Sequence, residues 1–226
     1  MGGFNTAYFL GALLAFVFGT AFAKGCQAFV AYQLGDRLPR SQGRLSFNPA
    51  RHHEPLGLLL ALFLSLGIRT VAWGKPLELN PYGNRMRRFG VLLVGLTGPV
   101  AYLVLAVVSG LIFRLLLSLN ASNTVLVSDR FEWSSLALAF TYFNLLFAAF
   151  NFLPIPPLDG YTIFFKGLFP VQWEPKLIWL ETYGTVLLLA LMLFLPFFLG
   201  GFNPLYEFVF NPLVNIFLNL LGLGNV

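Results

Sequence analysis

Apolar residues run almost unbroken from Phe4 to Ala23 and then alternate with polar ones as far as Gln33. This pattern predicts one long helix, stopped at Gly35–Asp36 because glycine is favoured just past a helix end. Arg37 to Arg51 is polar and holds four arginines. Its middle, Ser41 to Phe47, alternates in the manner of a short hairpin, and Asn48–Pro49 signals a turn. The next apolar run, Leu56 to Leu66, is short for a crossing and has basic residues on both flanks, so a re-entrant or partly buried segment is expected. Trp73 to Tyr82 reads as extended or looped, being punctuated by Gly74, Pro76 and Pro81. Phe89 to Leu119 predicts a long helix interrupted at Gly98–Pro99, with Arg114 able to snorkel near its end. Asn120 to Glu132 predicts a polar loop, and Trp133 to Phe152 a further span. Pro154–Ile155–Pro156–Pro157 cannot continue that helix. A short amphipathic piece then follows to Phe169. Leu177 to Leu199 spans again. Leu205 to Leu221 is a last apolar helix, broken at Asn211–Pro212. The expected fold is therefore an all-α polytopic membrane protein with five or six membrane elements. Residues 1–226 are read as a single membrane domain.

Composition sharpens this. Of 226 residues 58% are hydrophobic and only 10% charged, against about 25% charged in soluble domains. Several runs reach the roughly 20 apolar residues that a bilayer requires. The net charge of +5 is not a nucleic-acid signal, because the basic residues gather in loops. The positive-inside rule places those loops in the cytoplasm and the N-terminus outside. One cysteine excludes an internal disulfide. The first apolar run lacks a basic flank and a cleavage site, so it reads as a retained helix.

One residue disturbs the first helix. Lys24 lies inside it, where a lysine costs about 2.5–3.5 kcal/mol on insertion and so calls for a partner or a role. Three blocks elsewhere give it a context. The first runs from Ala28 to Asp36 and continues through Gln42–Gly43–Arg44–Leu45–Ser46–Phe47–Asn48–Pro49. The second is Gly74–Lys75–Pro76 with Asn80–Pro81, then Gly95–Leu96–Thr97–Gly98–Pro99. The third is Phe150–Asn151–Phe152–Leu153–Pro154–Ile155–Pro156–Pro157–Leu158–Asp159–Gly160. Together they resemble the site-2 protease family of intramembrane zinc metalloproteases. The resemblance covers about 15–165, implying a helical core there, with 166–226 as additional C-terminal membrane helices.

The family's chemistry uses two histidines at i and i+4 to bind zinc, with a glutamate after the first to activate the metal-bound water. The aspartate of the third block is the third ligand. The resemblance places Ala23 at the first histidine, Lys24 at the glutamate and Gln27 at the second histidine. Only Asp159 remains of the ligands, and the matched positions Asn151, Gly98, Pro99 and His52 are retained. Tyr102 stands where the family usually has asparagine. The resemblance thus implies no catalytic residues and no bound zinc. An aspartate left without its cation must be protonated or find another positive charge, which suggests a Lys24–Asp159 ion pair. The plainer alternative has Lys24 snorkelling and Asp159 capping the following short helix.

The sequence therefore suggests a catalytically inactive homologue, a pseudoprotease acting as a structural or binding subunit of a membrane protein complex in the cell membrane. The expected partners are the lipid bilayer and other membrane proteins. Competing readings are an intramembrane metalloprotease with an altered metal site, rebuilt from Cys26, Asp159 and His52 or His53, and a carrier that uses the old substrate cleft.

Overall fold

A computed structural model describes residues 5–80, 87–121, 133–170 and 174–224. The expectations at Pro81, Tyr82 and most of the 120–132 loop lie outside the described residues. Helix α1 is Thr6–Gln33. Asn5 starts it by accepting a hydrogen bond from the Tyr8 amide, and Gly35 ends it with a φ of +103°. The left-handed conformation that glycine tolerates is what turns the chain there. A one-turn helix, α2 (Leu38–Ser41), and a 3-10 turn at Pro49–Arg51 follow, and then α3 (Pro55–Ser65). Helices α4 (Arg87–Ala121) and α5 (Trp133–Phe150) complete the central bundle. The short α6 begins at Asp159–Tyr161 and continues in wider turns over Thr162–Leu168. Helix α7 runs from Glu174–Leu189 through Ala190–Phe194 to Leu195–Phe198, and α8 joins Tyr206–Phe210 to Asn211–Leu220.

The protein is an all-helical, multi-span membrane protein, with no β-sheet among the described residues. Among the described residues, four helices are long and apolar enough to cross a membrane: Thr6–Gln33, Arg87–Leu119, Trp133–Phe150 and Leu177–Phe198. At 1.5 Å per residue, α3 is only about 16 Å long, which is half of a hydrocarbon core.

The hairpin expected over Ser41–Phe47 does not form. Pro39 sits in the first turn of α2, where its fixed φ and missing N–H suit a helix. The amides of Gln42, Gly43 and Arg44 bond back to Leu38, Arg40 and Pro39, so no ladder partners remain for a strand. Two expected helix breaks are also absent. Pro99 lies within a continuous α4, and Pro212 lies within α8. A wide turn precedes Pro212 (Tyr206–Phe210), and another precedes Pro196 in α7 (Ala190–Phe194). A proline removes one helical hydrogen bond and crowds the carbonyl four residues back, and widening the preceding turn relieves both.

Helices α1 and α4 are antiparallel: Gln27 meets Gly95 while Thr20 meets Tyr102. Helix α5 runs alongside α1, with Ala139 against Gly11 and Phe147 against Phe16. The centre of the bundle is aromatic, built on Phe16, Phe143, Phe147 and Phe150, all buried. Valines and leucines on the far face of α4 are exposed, as are Phe197 and Phe198 of α7. In a membrane this is the face that meets lipid.

The segment 68–80 is the irregular part of the bundle. It runs along α1, bonding Thr70 O to the Tyr206 hydroxyl at one end and Asn80 N to Asp36 Oδ2 at the other. Thr70 to Gly74 are buried. Its path depends on two close approaches. A Cβ on Gly57 would sit 2.0 Å from Trp73 O, and one on Gly74 would sit 2.2 Å from Thr20 Cγ2.

Gly57→Ala should therefore destabilise the fold by about 1–3 kcal/mol, the usual cost of overpacking. Val107→Ala, on the exposed face of α4, should change it by less than about 0.5 kcal/mol. Thermal unfolding of the two variants in detergent checks the contrast.

Candidate functional site

Lys24 and Gln27 lie three residues apart on α1 and so project on one side of it. Both are buried, on the side that faces α4 and α6. Asp159 is the first residue of α6, brought there by the turns that follow α5. Lys24 Nζ donates to Asp159 Oδ1 at 2.6 Å, with the two side chains only 3% and 9% exposed. Asp159 N donates to Asn151 Oδ1 at 3.4 Å, and Asn151 Nδ2 donates to Phe147 O at 2.8 Å. Asn151 thus links the end of α5 to the start of α6.

Gly98 makes the approach possible. A Cβ there would lie 2.2 Å from Asp159 Oδ2 and 2.5 Å from Gln27 Nε2. Gln27 Nε2 reaches Gly95 O at 3.5 Å, at the limit of a hydrogen bond. Gln27 Oε1 and Asp159 Oδ2 are buried with no hydrogen-bond partner among the described residues. Both residues line a small cleft with Pro76, Leu77, Leu79, Val94, Gly95, Pro157 and Thr162. Its water-accessible space is about 30 Å³, enough for one or two waters.

The other singled-out residues are placed differently. Ala23 is fully buried in the apolar core, and Pro99 lies inside α4, one residue past Gly98. Tyr102 donates its hydroxyl to Thr20 Oγ1 at 2.8 Å. His52 is buried in the loop before α3 and is held at Ser46 O through Nε2. His53 is held by Pro49 O through Nδ1 at 2.7 Å and by Phe16 O through Nε2 at 3.3 Å. Cys26 is half-buried against the core. The rebuilt metal set of Cys26, Asp159 and a histidine does not assemble. Among the described residues no three His, Cys, Asp or Glu side chains gather where they could hold a metal ion. Arg114 reaches the C-terminal end of α8, donating to Leu221 O at 3.4 Å.

One contributor's contacts are not readable from residue identity. Arg44 is buried, and its guanidinium donates to the carbonyls of Arg51 and Lys75 at 2.6 Å each. It thereby joins the loop after α2 to the segment that roofs the cleft. Lys75 N donates to His52 O at 2.7 Å, and the Trp73 indole donates to Glu54, closing the same seam. In the sequence Arg44 is one of four arginines in a basic loop and belongs to the first of the three blocks, but its partners cannot be read there.

The chain is 33% identical to the protein described as "Putative zinc metalloprotease YwhC" from Bacillus subtilis (strain 168), over 196 residues that make up 83% of this chain and 78% of that one. The chain belongs to this zinc metalloprotease family. It is also 33% identical to "Putative zinc metalloprotease Rip2" from Mycolicibacterium smegmatis, over 136 residues, covering 59% of this chain and 48% of that protein. No family model matches the chain, and no solved structure matches it.

Membership implies zinc, and the side chains around Asp159 test that implication. Zinc sites take three or four N, S or O donors. Here one carboxylate oxygen is held by a lysine ammonium at 2.6 Å. The neighbouring residues offer an alanine methyl and a neutral amide, so the donor set does not fit a zinc ion.

Removing one member of the buried pair leaves the other charge uncompensated. Lys24→Met alone should cost about 3–5 kcal/mol, and Lys24→Met with Asp159→Leu substantially less. Detergent-phase thermal melts of the single and double variants measure the difference. The loop histidine supplies a pH signature. Burial, helped by the positive charges of Arg44 and Lys24, lowers the His52 pKa to about 4, against the opposing pull of its bond to Ser46 O. The unfolded ring, near 6.5, takes up a proton at higher pH than the folded one. The His52 contribution is therefore fully present above about pH 6.5 and is lost as pH falls toward 4. His52→Gln should flatten the fall in melting temperature over that window.

Proposed function

We propose that this chain is a catalytically inactive homologue of the site-2 protease type, retained as a structural or binding subunit of a membrane protein complex. The observation that carries this reading is the Lys24–Asp159 contact at 2.6 Å. A metalloprotease of this type polarises and deprotonates a zinc-bound water. Lys24 is a cation with no carboxylate to accept that proton, and it occupies the aspartate a metal would use. Ala23 cannot coordinate, and Gln27 offers only a neutral amide. In this reading the lysine ammonium replaces the metal's positive charge, keeping Asp159 compensated and α1 tied to α6. The old site becomes a clasp that preserves the shape of the fold.

The proposal extends to organisation and placement. The family-like core is 15–165, and 166–226 adds the peripheral helices α7 and α8, within one membrane domain over 1–226. The protein sits in the cell membrane with its basic loops in the cytoplasm, since the positive-inside rule orients them so. The segment containing α3 re-enters rather than crosses, in keeping with its length of about 16 Å. Partners are the bilayer and one or more membrane proteins. Unpaired helix faces such as that of α7 are where such a protein would dock.

A second reading is favoured by one specific feature. The cleft lined by Gln27 and Asp159 has room for water, and each of the two residues carries a buried acceptor with no partner among the described residues. That would suit a hydrolase with an altered site. Metal analysis of the purified protein, run with a cleavage assay on a membrane-helix substrate, separates the two. The pseudoprotease reading expects substoichiometric zinc and no chelator-sensitive cleavage. One equivalent of zinc with chelator-sensitive cleavage would overturn it.

A further inference from the structure

We infer that the basic end of the bundle is a binding surface for anionic phospholipid headgroups. Helices α1 and α4 are antiparallel and meet at Gln27 and Gly95. Gln33 lies six residues beyond Gln27, and Arg87 eight residues before Gly95, so the end of α1 and the start of α4 rise about 9–12 Å from that contact toward the same end. Asp36 reinforces the link by accepting from Asn80 N at 2.7 Å. This end therefore presents Arg37, Arg40 and Arg87, all exposed, with exposed Arg51 and Lys75 on the loops stitched beneath them.

The acids nearby do not neutralise the surface. Asp36 is buried, its two oxygens committed to the amides of Leu38 and Asn80. Glu54 is engaged by Trp73. Glu78 alone is exposed in this region among the described residues, and it is bonded to Gln42. Just inside the cationic rim, Phe29 and Phe89 are 53% and 55% exposed on α1 and α4. Cations above exposed aromatics match a lipid with an anionic headgroup and acyl chains below it. A soluble acidic partner would have no use for the aromatic layer.

Each basic residue near an anionic membrane surface contributes roughly fivefold in affinity. The full chain is equilibrated in mixed micelles holding equal phosphatidylglycerol and phosphatidylcholine, and the co-eluting lipids are quantified. Phosphatidylglycerol should be enriched several-fold. High salt should remove the enrichment from the unmodified protein, and R37Q/R40Q/R87Q should lower it several-fold. Arg114→Gln, at the far end of α4, should leave it unchanged. Equal recovery of the two lipids, or enrichment that survives high salt or is unchanged by the triple substitution, would overturn the inference.

Discussion

A charge buried in an apolar bundle needs an opposite charge in contact with it, and much of this structure is arranged around that requirement. Lys24 and Asp159 are separated by 135 residues and meet at 2.6 Å. For them to do so, α1 must present its polar side to α4, Gly98 must lack a side chain, and the turns after α5 must deliver α6 to that spot. Such a pair is weak evidence for net stability, because desolvation offsets the attraction. Its value lies in intolerance: a rotated α1 or a displaced α6 would strand a charge. A packing that displaced either residue would leave the other charge uncompensated, at a cost of about 3–5 kcal/mol.

The same accounting extends to the backbone. A segment without helical hydrogen bonds, 68–80, runs through the bundle, and lipid offers its amides and carbonyls nothing. Protein groups supply the partners instead. Asp36 takes the Asn80 amide, Arg44 takes the carbonyls of Arg51 and Lys75, and the Tyr206 hydroxyl takes that of Thr70. Gly57 and Gly74 let the segment lie close enough for these bonds to form. The roof of the cleft and the shape of the bundle are thus held by one set of interactions.

Parts of this were legible along the chain. The long helices follow from apolar run length, and their ends from Gly35 and from the prolines after Phe150. Legibility failed where a local rule met a tertiary remedy. Pro99 and Pro212 read as breaks, yet helices accommodate them, in α8 by a wider turn. The alternation over Ser41–Phe47 reads as a hairpin, yet local helical bonds started at Pro39 use up the amides a ladder would need. The site divides in the same way. Lys24 announces itself as a costly residue in an apolar helix. Arg44, equally buried, hides among the exposed arginines of its loop, because its partners are backbone carbonyls and those leave no trace in residue identity.

That this is an all-helical membrane protein follows from residue order alone, because the transfer energetics of apolar runs of about 20 residues need no knowledge of neighbours. Residue identity also settled side-chain chemistry: Ala23, Lys24 and Gln27 bring a methyl, a cation and a neutral amide, none of them a strong metal donor. Which groups meet is a matter of packing. It set Lys24 against Asp159, aimed Arg44 inward, left Asp159 Oδ2 and Gln27 Oε1 buried without partners among the described residues beside a small cleft, and gathered the exposed arginines at one end. These are facts of distance, and distance between residues far apart in the chain arises from packing that no single stretch encodes.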